Sequence, residues 1–420
     1  MFYNIAIYAY LLAVRVAALF WGKPRRMVRG HKKVFNRLKD NIDPTDRYIW
    51  FHASSLGEFE QGRPLMETIK KDYPAYKILL TFFSPSGYEV QEHYEYADLV
   101  TYLPFDTPRN ARRFMQLVHP TMAFFIKYEF WKNYLTALHD SGIPTYSVSS
   151  IFRPKQIFFR RYARKYSEVL LTFTTLFVQN EESKTLLAGI GVKNVEVTGD
   201  TRFDRVLEIR NQAKDLPRVE LFKGNNPMFI VGSSWPSDEE IYIPYFNELL
   251  RQAQDKNHKA YKLIIAPHVV EESRLQEIES RLQLKSVRYT RASDTELADA
   301  QCLIVDCYKM LSSIYRYADF AYIGGGFISS GIHNVLEAAV YGVGTVFGTV
   351  NKKFLEAQQL MELKGSYEFK DYKSFARIMD EMLASPEKMA ETGAIAKQYV
   401  YGNAGTTAKI LASLQPMLSQ

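Results

Sequence analysis

At 420 residues and 47% hydrophobic content, the chain is too long for one ordinary core and suits two domains of ~200 residues each. Its formal charge of +7 calls for an anionic partner, and nucleic acid, anionic lipid and a phosphorylated small substrate all satisfy that demand. The only cysteines are Cys302 and Cys307, and no Cys/His cluster has zinc spacing, which argues against a disulfide scaffold and a structural metal and fits a reducing compartment.

The first predicted element is a helix from Phe2 to Trp21. Nearly every residue in it is apolar or aromatic, with Asn4 and Arg15 the exceptions. About 20 helical residues span about 30 Å, close to a bilayer's hydrocarbon thickness. Arg15 within the run, tyrosines at Tyr3, Tyr8 and Tyr10, and the lack of a basic leader or small-residue cleavage site predict an anchor rather than a signal peptide. A spanning helix and one lying in the interface both fit, and a helix packed on the protein's own surface is the third reading. Lys23, Arg25, Arg26, Arg29, Lys32, Lys33, Arg37 and Lys39 follow with no acid before Asp40. The positive-inside rule then puts the downstream chain in the cytoplasm, and each cation adds roughly 1 kcal/mol of attraction to an anionic membrane surface.

Strand-like and helix-like segments alternate from there, the pattern of an α/β protein. Strands are expected at Tyr48–Ala53, Lys77–Thr81, Met122–Ile126, Thr145–Val148 and Leu176–Val178, with helices such as Arg63–Lys71 and Thr107–Val118 between them. The first strand runs into Ser54-Ser55-Leu56-Gly57-Glu58, a tight turn and helix start with a carboxylate at its mouth. That is the carboxyl end of a strand, where open α/β sheets bind ligands, so Glu58 is the first candidate for a catalytic base. The same short pattern fits an ordinary acid favoured at a helix N-terminus. Between Arg153 and Tyr166, Lys155, Arg160, Arg161, Arg164 and Lys165 interleave with Phe158, Phe159 and Tyr162. Such a patch suits a phosphorylated lipid, could grip RNA, and is equally the pattern of a solvated helix face with its aromatic residues turned to the core.

A second unit begins near Pro227. Strands are expected at Met228–Val231, Leu263–Ala266, Leu303–Val305, Phe320–Ile323 and Gly344–Phe347, with late helices over Lys373–Ala384 and Ala404–Leu418. Gly324-Gly325-Gly326 follows a strand, and a helix is expected from about Asn334, an arrangement that suits a phosphate. A glycine turn serving packing alone is the plainer alternative. No internal repeat or low-complexity tract is present.

Read in order, Ser54-Ser55-Leu56-Gly57-Glu58, Leu103-Pro104-Phe105-Asp106, Tyr128-Glu129-Phe130-Trp131-Lys132-Asn133, Gly199-Asp200-Thr201-Arg202-Phe203-Asp204, Ile265-Ala266-Pro267-His268 and Gly324-Gly325-Gly326 through His333-Asn334-Val335-Leu336-Glu337 form a succession. It closely resembles the Kdo transferases, membrane-associated glycosyltransferases that move 3-deoxy-D-manno-octulosonic acid (Kdo) from CMP-Kdo onto a lipid A precursor. The resemblance runs from about Met1 to the C-terminus. It implies the GT-B architecture: two Rossmann-like domains facing a central cleft, here behind an N-terminal membrane-anchoring helix. The expected division is 1–22 for the anchor, 23–208 for an acceptor-binding domain carrying the base, and 209–420 for a CMP-sugar-binding domain whose last helix can pack on the first.

The resemblance also implies roles by position. Glu58, Lys127, Glu129 and Arg202 fall at catalytic positions, and Pro267, His268, Tyr308, Lys309, Met310, Asn334, Val335, Leu336 and Glu337 at positions for the CMP part of the donor. Lys127 replaces the first glutamate of the family's Met-Glu-Thr-Glu, His268 the arginine of its Pro-Arg pair, and Val335 the proline of its Asn-Pro-Leu-Glu. Tyr308-Lys309-Met310 matches a Met-Gly-Glu loop in position only. An imidazole lacks the permanent bidentate clamp of a guanidinium, and Arg274 or Lys309 would have to compensate.

The implied reaction is a metal-independent, inverting transfer with no cofactor. Glu58 takes the acceptor hydroxyl's proton, while CMP departs toward helix N-termini and Arg202. The expected partners are CMP-Kdo, a phosphorylated lipid A precursor and an anionic membrane surface, with no nucleic acid, at the cytoplasmic face of a bacterial inner membrane. Two alternatives are a GT-B transferase using another nucleotide sugar on a lipid, and an inactive membrane-tethered binding protein of the same fold.

Overall fold

The structure is a computed structural model and describes residues 2–255 and 261–419. Two compact units are present: Met1–Arg205 together with Ala404–Gln420, and Val206–Asn403. The last helix, Thr406–Leu418, therefore belongs with the first unit.

The first unit holds a seven-stranded parallel sheet of β1 (Arg47–Ala53), β2 (Tyr76–Phe82), β3 (Leu99–Tyr102), β4 (Met122–Ile126), β5 (Thr145–Ser150), β6 (Thr175–Val178) and β7 (Val195–Val197) in the order β3-β2-β1-β4-β5-β6-β7. Both faces of such a sheet are covered, which is why β4 reads as an unbroken apolar run and β1 as one interrupted between Tyr48 and Ala53 only by His52. Alternate residues of β1 go to opposite cores: Tyr48 and Trp50 to one, Ile49 and Phe51 to the other. The C-terminal helix completes the second of these with Ile410, Leu414 and Leu418. The strand order reverses between β1 and β4, so a crevice opens at their carboxyl ends.

The second unit repeats the plan with β8 (Met228–Ser234), β9 (Lys262–Pro267), β10 (Ser286–Arg288), β11 (Cys302–Ile304), β12 (Phe320–Ile323), β13 (Gly344–Phe347) and β14 (Ser366–Glu368). Their order is β10-β11-β9-β8-β12-β13-β14, again all parallel, with the reversal between β8 and β12. Two Rossmann-like units are thus present, as expected. The strands β3, β7, β10 and β14 were not anticipated.

Two helices precede the first sheet: α1 (Phe2–Phe20) and α2 (Gly22–Asn41). Trp21 separates them with extended backbone, φ −121° and ψ 142°. One stripe of α1 packs on its own unit, through Val14 beside Met27, Phe83 and Phe105, and through Tyr3, whose hydroxyl donates to Asp106 over 2.5 Å. Phe2, Ile5, Leu12, Val16, Leu19 and Phe20 on the remaining surface are exposed. Among the described residues α1 is the one helix long and apolar enough to cross a membrane.

The first unit is closed by a side-chain cap. Asp204 accepts hydrogen bonds from the N–H groups of Gly405 (2.5 Å) and Thr407 (2.6 Å) and from the Thr407 hydroxyl (2.7 Å), at the N-terminus of the last helix. Losing such a cap costs ~1–2 kcal/mol. Asp204→Ala is therefore expected to lower stability by that amount and to speed amide hydrogen exchange selectively over 406–418. Exchange that accelerated equally across β1 would show that the cap does not hold this helix.

Candidate active site

In the first unit the crevice is built from the segments that leave β1 and β4. Ser55 starts α3 (Leu56–Asp72) as the N-cap of a capping box, with Glu58 at its third position. The Oε2 atom of Glu58 accepts from the N–H of Ser54 (2.7 Å) and of Ser55 (3.1 Å). Oε1 has no hydrogen-bond partner among the described residues, so one carboxylate oxygen fixes the side chain and the other is left unbonded. Burial first, then repulsion from Glu129, pushes the Glu58 carboxyl up to about 8.

Glu129 follows β4 and is buried. Its Oε2 accepts from Trp131 Nε1, from the Ser54 hydroxyl, and from His52 Nε2 at 3.2 Å. Burial raises the Glu129 carboxyl, but the His52, Ser54 and Trp131 contacts outweigh it and hold the group below its ordinary range. Two neighbouring carboxylates are thereby driven apart, Glu129 ionised and Glu58 poised near neutrality. His52 is fully buried on β1, with Nδ1 2.9 Å from the Thr81 hydroxyl, so both ring nitrogens are tied.

Cations collect close to these carboxylates. Lys127 leaves β4 in the left-handed region at φ 63°, and its charge lowers the Glu58 carboxyl against the larger raising effects. Its ammonium lies 5.4 Å from the Tyr128 ring centre, and Arg153 donates to the Tyr128 hydroxyl over 2.9 Å. Arg202 grips Asp200 through Nε (3.0 Å) and Nη2 (2.8 Å), and Gln61 of α3 donates to the same carboxylate over 3.0 Å. The charges of both arginines act on Tyr128. The four residues expected at catalytic positions therefore all lie in the first unit. Glu58, Lys127 and Glu129 are brought together, and Arg202 joins them through Tyr128.

The basic segment after β5 divides. Phe158 is buried and Tyr166 stacks on it (5.4 Å), while Arg160, Arg161, Arg164, Lys165 and Tyr162 are exposed.

In the second unit the expected donor residues gather at the carboxyl ends of β8, β9, β11 and β12. His268 follows β9 and stacks on Trp235, which follows β8 (4.5 Å, 24°), with His333 4.7 Å away. The Trp235 indole donates to His333 Nε2 over 3.1 Å. Burial, and then His268, pushes the His333 imidazole down to about 4, so it is neutral at physiological pH. Pro267 is buried at the end of β9. Tyr308 and Lys309 are exposed beyond β11, the Tyr308 hydroxyl accepting from the Val270 N–H (3.1 Å) and Lys309 adopting φ 69°. Met310 sits beside Cys307, whose thiol lies 3.2 Å from its sulfur.

Three expectations for this unit need correction. The helix beyond Asn334 is a single turn, Leu336–Ala339, and the side chains of Val335 and Leu336 are core residues, leaving only their backbone to a ligand. Asn334 spends its side chain on Leu336 N–H (3.2 Å) and Glu337 (3.1 Å). The glycine triplet is consumed by packing: Gly324 N–H donates to Gly232 (2.8 Å) and Gly325 N–H to Asp238 (2.9 Å). A Cβ on Gly324 would lie 2.2 Å from the Ser233 carbonyl oxygen, and one on Gly326 2.3 Å from Gly348 N. Finally, Arg274 cannot stand in for a donor clamp, because it is paired with buried Glu239 and with Glu277.

His52, Trp131 and Trp235 were not assigned from sequence. His52 left a signal, a lone imidazole in an otherwise apolar strand just before the turn, and so did Trp235 at the end of Gly232-Ser233-Ser234.

The model of a family described as 3-deoxy-D-manno-octulosonic-acid transferase matches residues 25–205. A 3-deoxy-D-manno-octulosonic acid transferase of Haemophilus influenzae is 24% identical over 395 residues, covering 90% of this chain and 88% of the relative. One of Aquifex aeolicus is 24% identical over 351 residues, covering 82% and 89%. Among solved structures, a UDP-GlcNAc 2-epimerase from Neisseria meningitidis bound to UDP-GlcNAc superposes with a TM-score of 0.60 at 13% identity, covering 88% of this chain and 100% of that one. At that identity the likeness is one of fold.

Proposed function

We propose that this chain, which belongs to the Kdo transferase family, moves Kdo from CMP-Kdo to a hydroxyl of a phosphorylated lipid A precursor. Glycosyl transfer in lipopolysaccharide biosynthesis is the family's chemistry. The observation that carries the finer reading is Glu58, a half-buried carboxylate at the sheet's reversal point with one oxygen fixed and the other unbonded. Glu58 Oε1 accepts the acceptor hydroxyl's proton as its oxygen bonds to the anomeric carbon. The bond from that carbon to the CMP phosphate breaks with its electron pair leaving on the phosphate, and the anomeric configuration inverts. Lys127, Arg153 and Arg202 supply positive charge near this base, suited to an acidic sugar and to a departing phosphate. The CMP part belongs with His268, Tyr308, Lys309 and Met310, with Pro267 and the Asn334–Glu337 turn shaping that site. His268 contributes a stacking face there rather than a guanidinium clamp.

The charge that develops is met by side chains, so the reaction needs no metal and chelation with EDTA is expected to leave the rate unchanged. The exposed apolar face of α1 and the cations of α2 suit a helix lying in the cytoplasmic surface of the bacterial inner membrane, the other stripe of α1 being occupied by its own unit. The deciding experiment is CMP release from CMP-Kdo by detergent-solubilised protein, with and without the tetraacyl disaccharide bisphosphate precursor. Acceptor-dependent release supports the reading. Release only from a UDP-hexosamine would assign another donor, and donor binding without release would describe an inactive member of the fold.

A further inference from the structure

A cavity of about 310 Å³ lies in the first unit where α1 and α2 meet the loop and helix after β3. Arg15, Lys32, Arg109 and Arg113 line it, and no aspartate or glutamate does. None of these four cations forms an ion pair among the described residues, and Arg113 rests on the Phe35 ring (4.2 Å). Four uncompensated cations around one space constitute a site for a polyanion such as a phosphate ester. The rest of the lining includes Leu11, Val28 and Phe105, which suit an apolar body.

The decisive atom is on His31. Its Nε2 lies 3.3 Å from the Phe83 carbonyl oxygen, which can only accept, so Nε2 carries the proton and Nδ1 presents a lone pair. That Nδ1 is buried and has no hydrogen-bond partner. A buried lone pair is costly to leave unmet, and what it needs is a donor such as a hydroxyl, not a second anion. The ring is otherwise enclosed by Phe83, Tyr102 and Phe105, at 5.3, 5.1 and 4.6 Å. Arg15, the charge inside the apolar run of α1, is thereby explained as a wall of this cavity.

We propose that this cavity binds the phosphorylated sugar headgroup of an acylated glycolipid, its phosphate held by Arg15, Lys32, Arg109 and Arg113 and a hydroxyl donating to His31 Nδ1. The ligand's identity as the acceptor rests on the transfer reading above. Contiguity supports it: Phe105 touches Phe83 (5.4 Å), Phe83 touches Trp131 (4.7 Å), and Trp131 donates to Glu129. A glycolipid seated by its phosphate here lies beside the crevice that holds the base, with its acyl chains along the exposed face of α1.

The test is titration of the full chain in neutral detergent with the tetraacyl disaccharide bisphosphate and with the same lipid stripped of phosphate. The parent is expected to bind the bisphosphate roughly tenfold or more tightly than the stripped lipid, and Arg109→Gln with Arg113→Gln to erase that margin. His31→Phe, which keeps the ring packing and removes the lone pair, is expected to weaken both lipids. An unchanged thermal midpoint in the glutamine variant separates lost binding from lost folding. A margin that survives both arginine changes overturns the assignment. So does equal dependence on these arginines for inorganic phosphate, or for phosphatidylglycerol vesicles, because either identifies a general anion site. Failure of the transfer reading looks different: the parent would release no CMP while the binding margin persisted.

Discussion

Glu58→Gln is expected to lower acceptor-dependent CMP release by roughly 10²–10⁴-fold, the range a positioned general base supplies. Glutamine is the informative replacement because its carbonyl oxygen can still accept from Ser54 and Ser55, keeping the capping box of α3 while removing basicity. The parent's activity should rise with pH through about 8, since the base works only when deprotonated. Stability should run the other way. A carboxyl raised in the fold favours its protonated form, so its contribution is full below the unfolded value of about 4.5 and is lost as pH rises through about 8. Glu58→Gln therefore flattens that dependence and leaves the variant more stable than the parent in mild alkali. A variant that kept more than a tenth of the parent's rate would remove Glu58 from the base's role. A variant that lost activity and also unfolded earlier at pH 9 would reduce it to a helix cap.

The second large effect is structural. Trp50 is fully buried in the central strand β1, against Phe114 (4.6 Å), Phe125 (5.1 Å) and Tyr134 (5.7 Å). Its indole donates to the Thr81 hydroxyl over 2.8 Å, and that hydroxyl also meets His52 Nδ1 at 2.9 Å. Trp50→Ala is expected to cost the first unit ~3–5 kcal/mol, from lost burial and the cavity left among rigid neighbours. The Thr81 hydroxyl that His52 contacts loses its indole donor at the same time, so Glu129 and the pH limb set by Glu58 should shift even where the variant remains folded. Denaturant unfolding followed by a probe in the first unit measures the former. A change under about 1 kcal/mol would mean that the neighbouring rings collapse into the space.

How legible this was in the sequence depended on how much each segment carried alone. β1, β4 and β12 are buried on both faces, so their apolar runs announce them, and the expected bounds at Met122–Ile126 and Phe320–Ile323 agree with the structure. β7, β10 and β14 are three-residue strands such as Val195-Glu196-Val197, too short and too polar to register before their partners are in place. They exist because β6, β11 and β13 offer an edge to pair with. Glu58 was readable because a strand, a turn and an acid stood together. The pairing with Glu129 was not, because the two lie on separate crossovers and meet only once β1 and β4 are neighbours. The glycine triplet misled in the opposite direction. Its sequence suits a phosphate cradle, whereas close approach to the ends of β8 and β13 is what demands the missing Cβ atoms.

The last helix has a consequence for how the protein is made. Ile410, Leu414 and Leu418 cover the core face that Ile49, Phe51 and Phe59 present, so the burial of the first unit's sheet waits until the whole of Val206–Asn403 has been synthesised. The second unit is contiguous in the chain and can close beforehand. During that interval the nascent chain carries both an uncovered sheet face and the apolar surface of α1. Under the anchoring proposed above, a membrane surface that receives α1 would also keep this exposed intermediate apart from its copies.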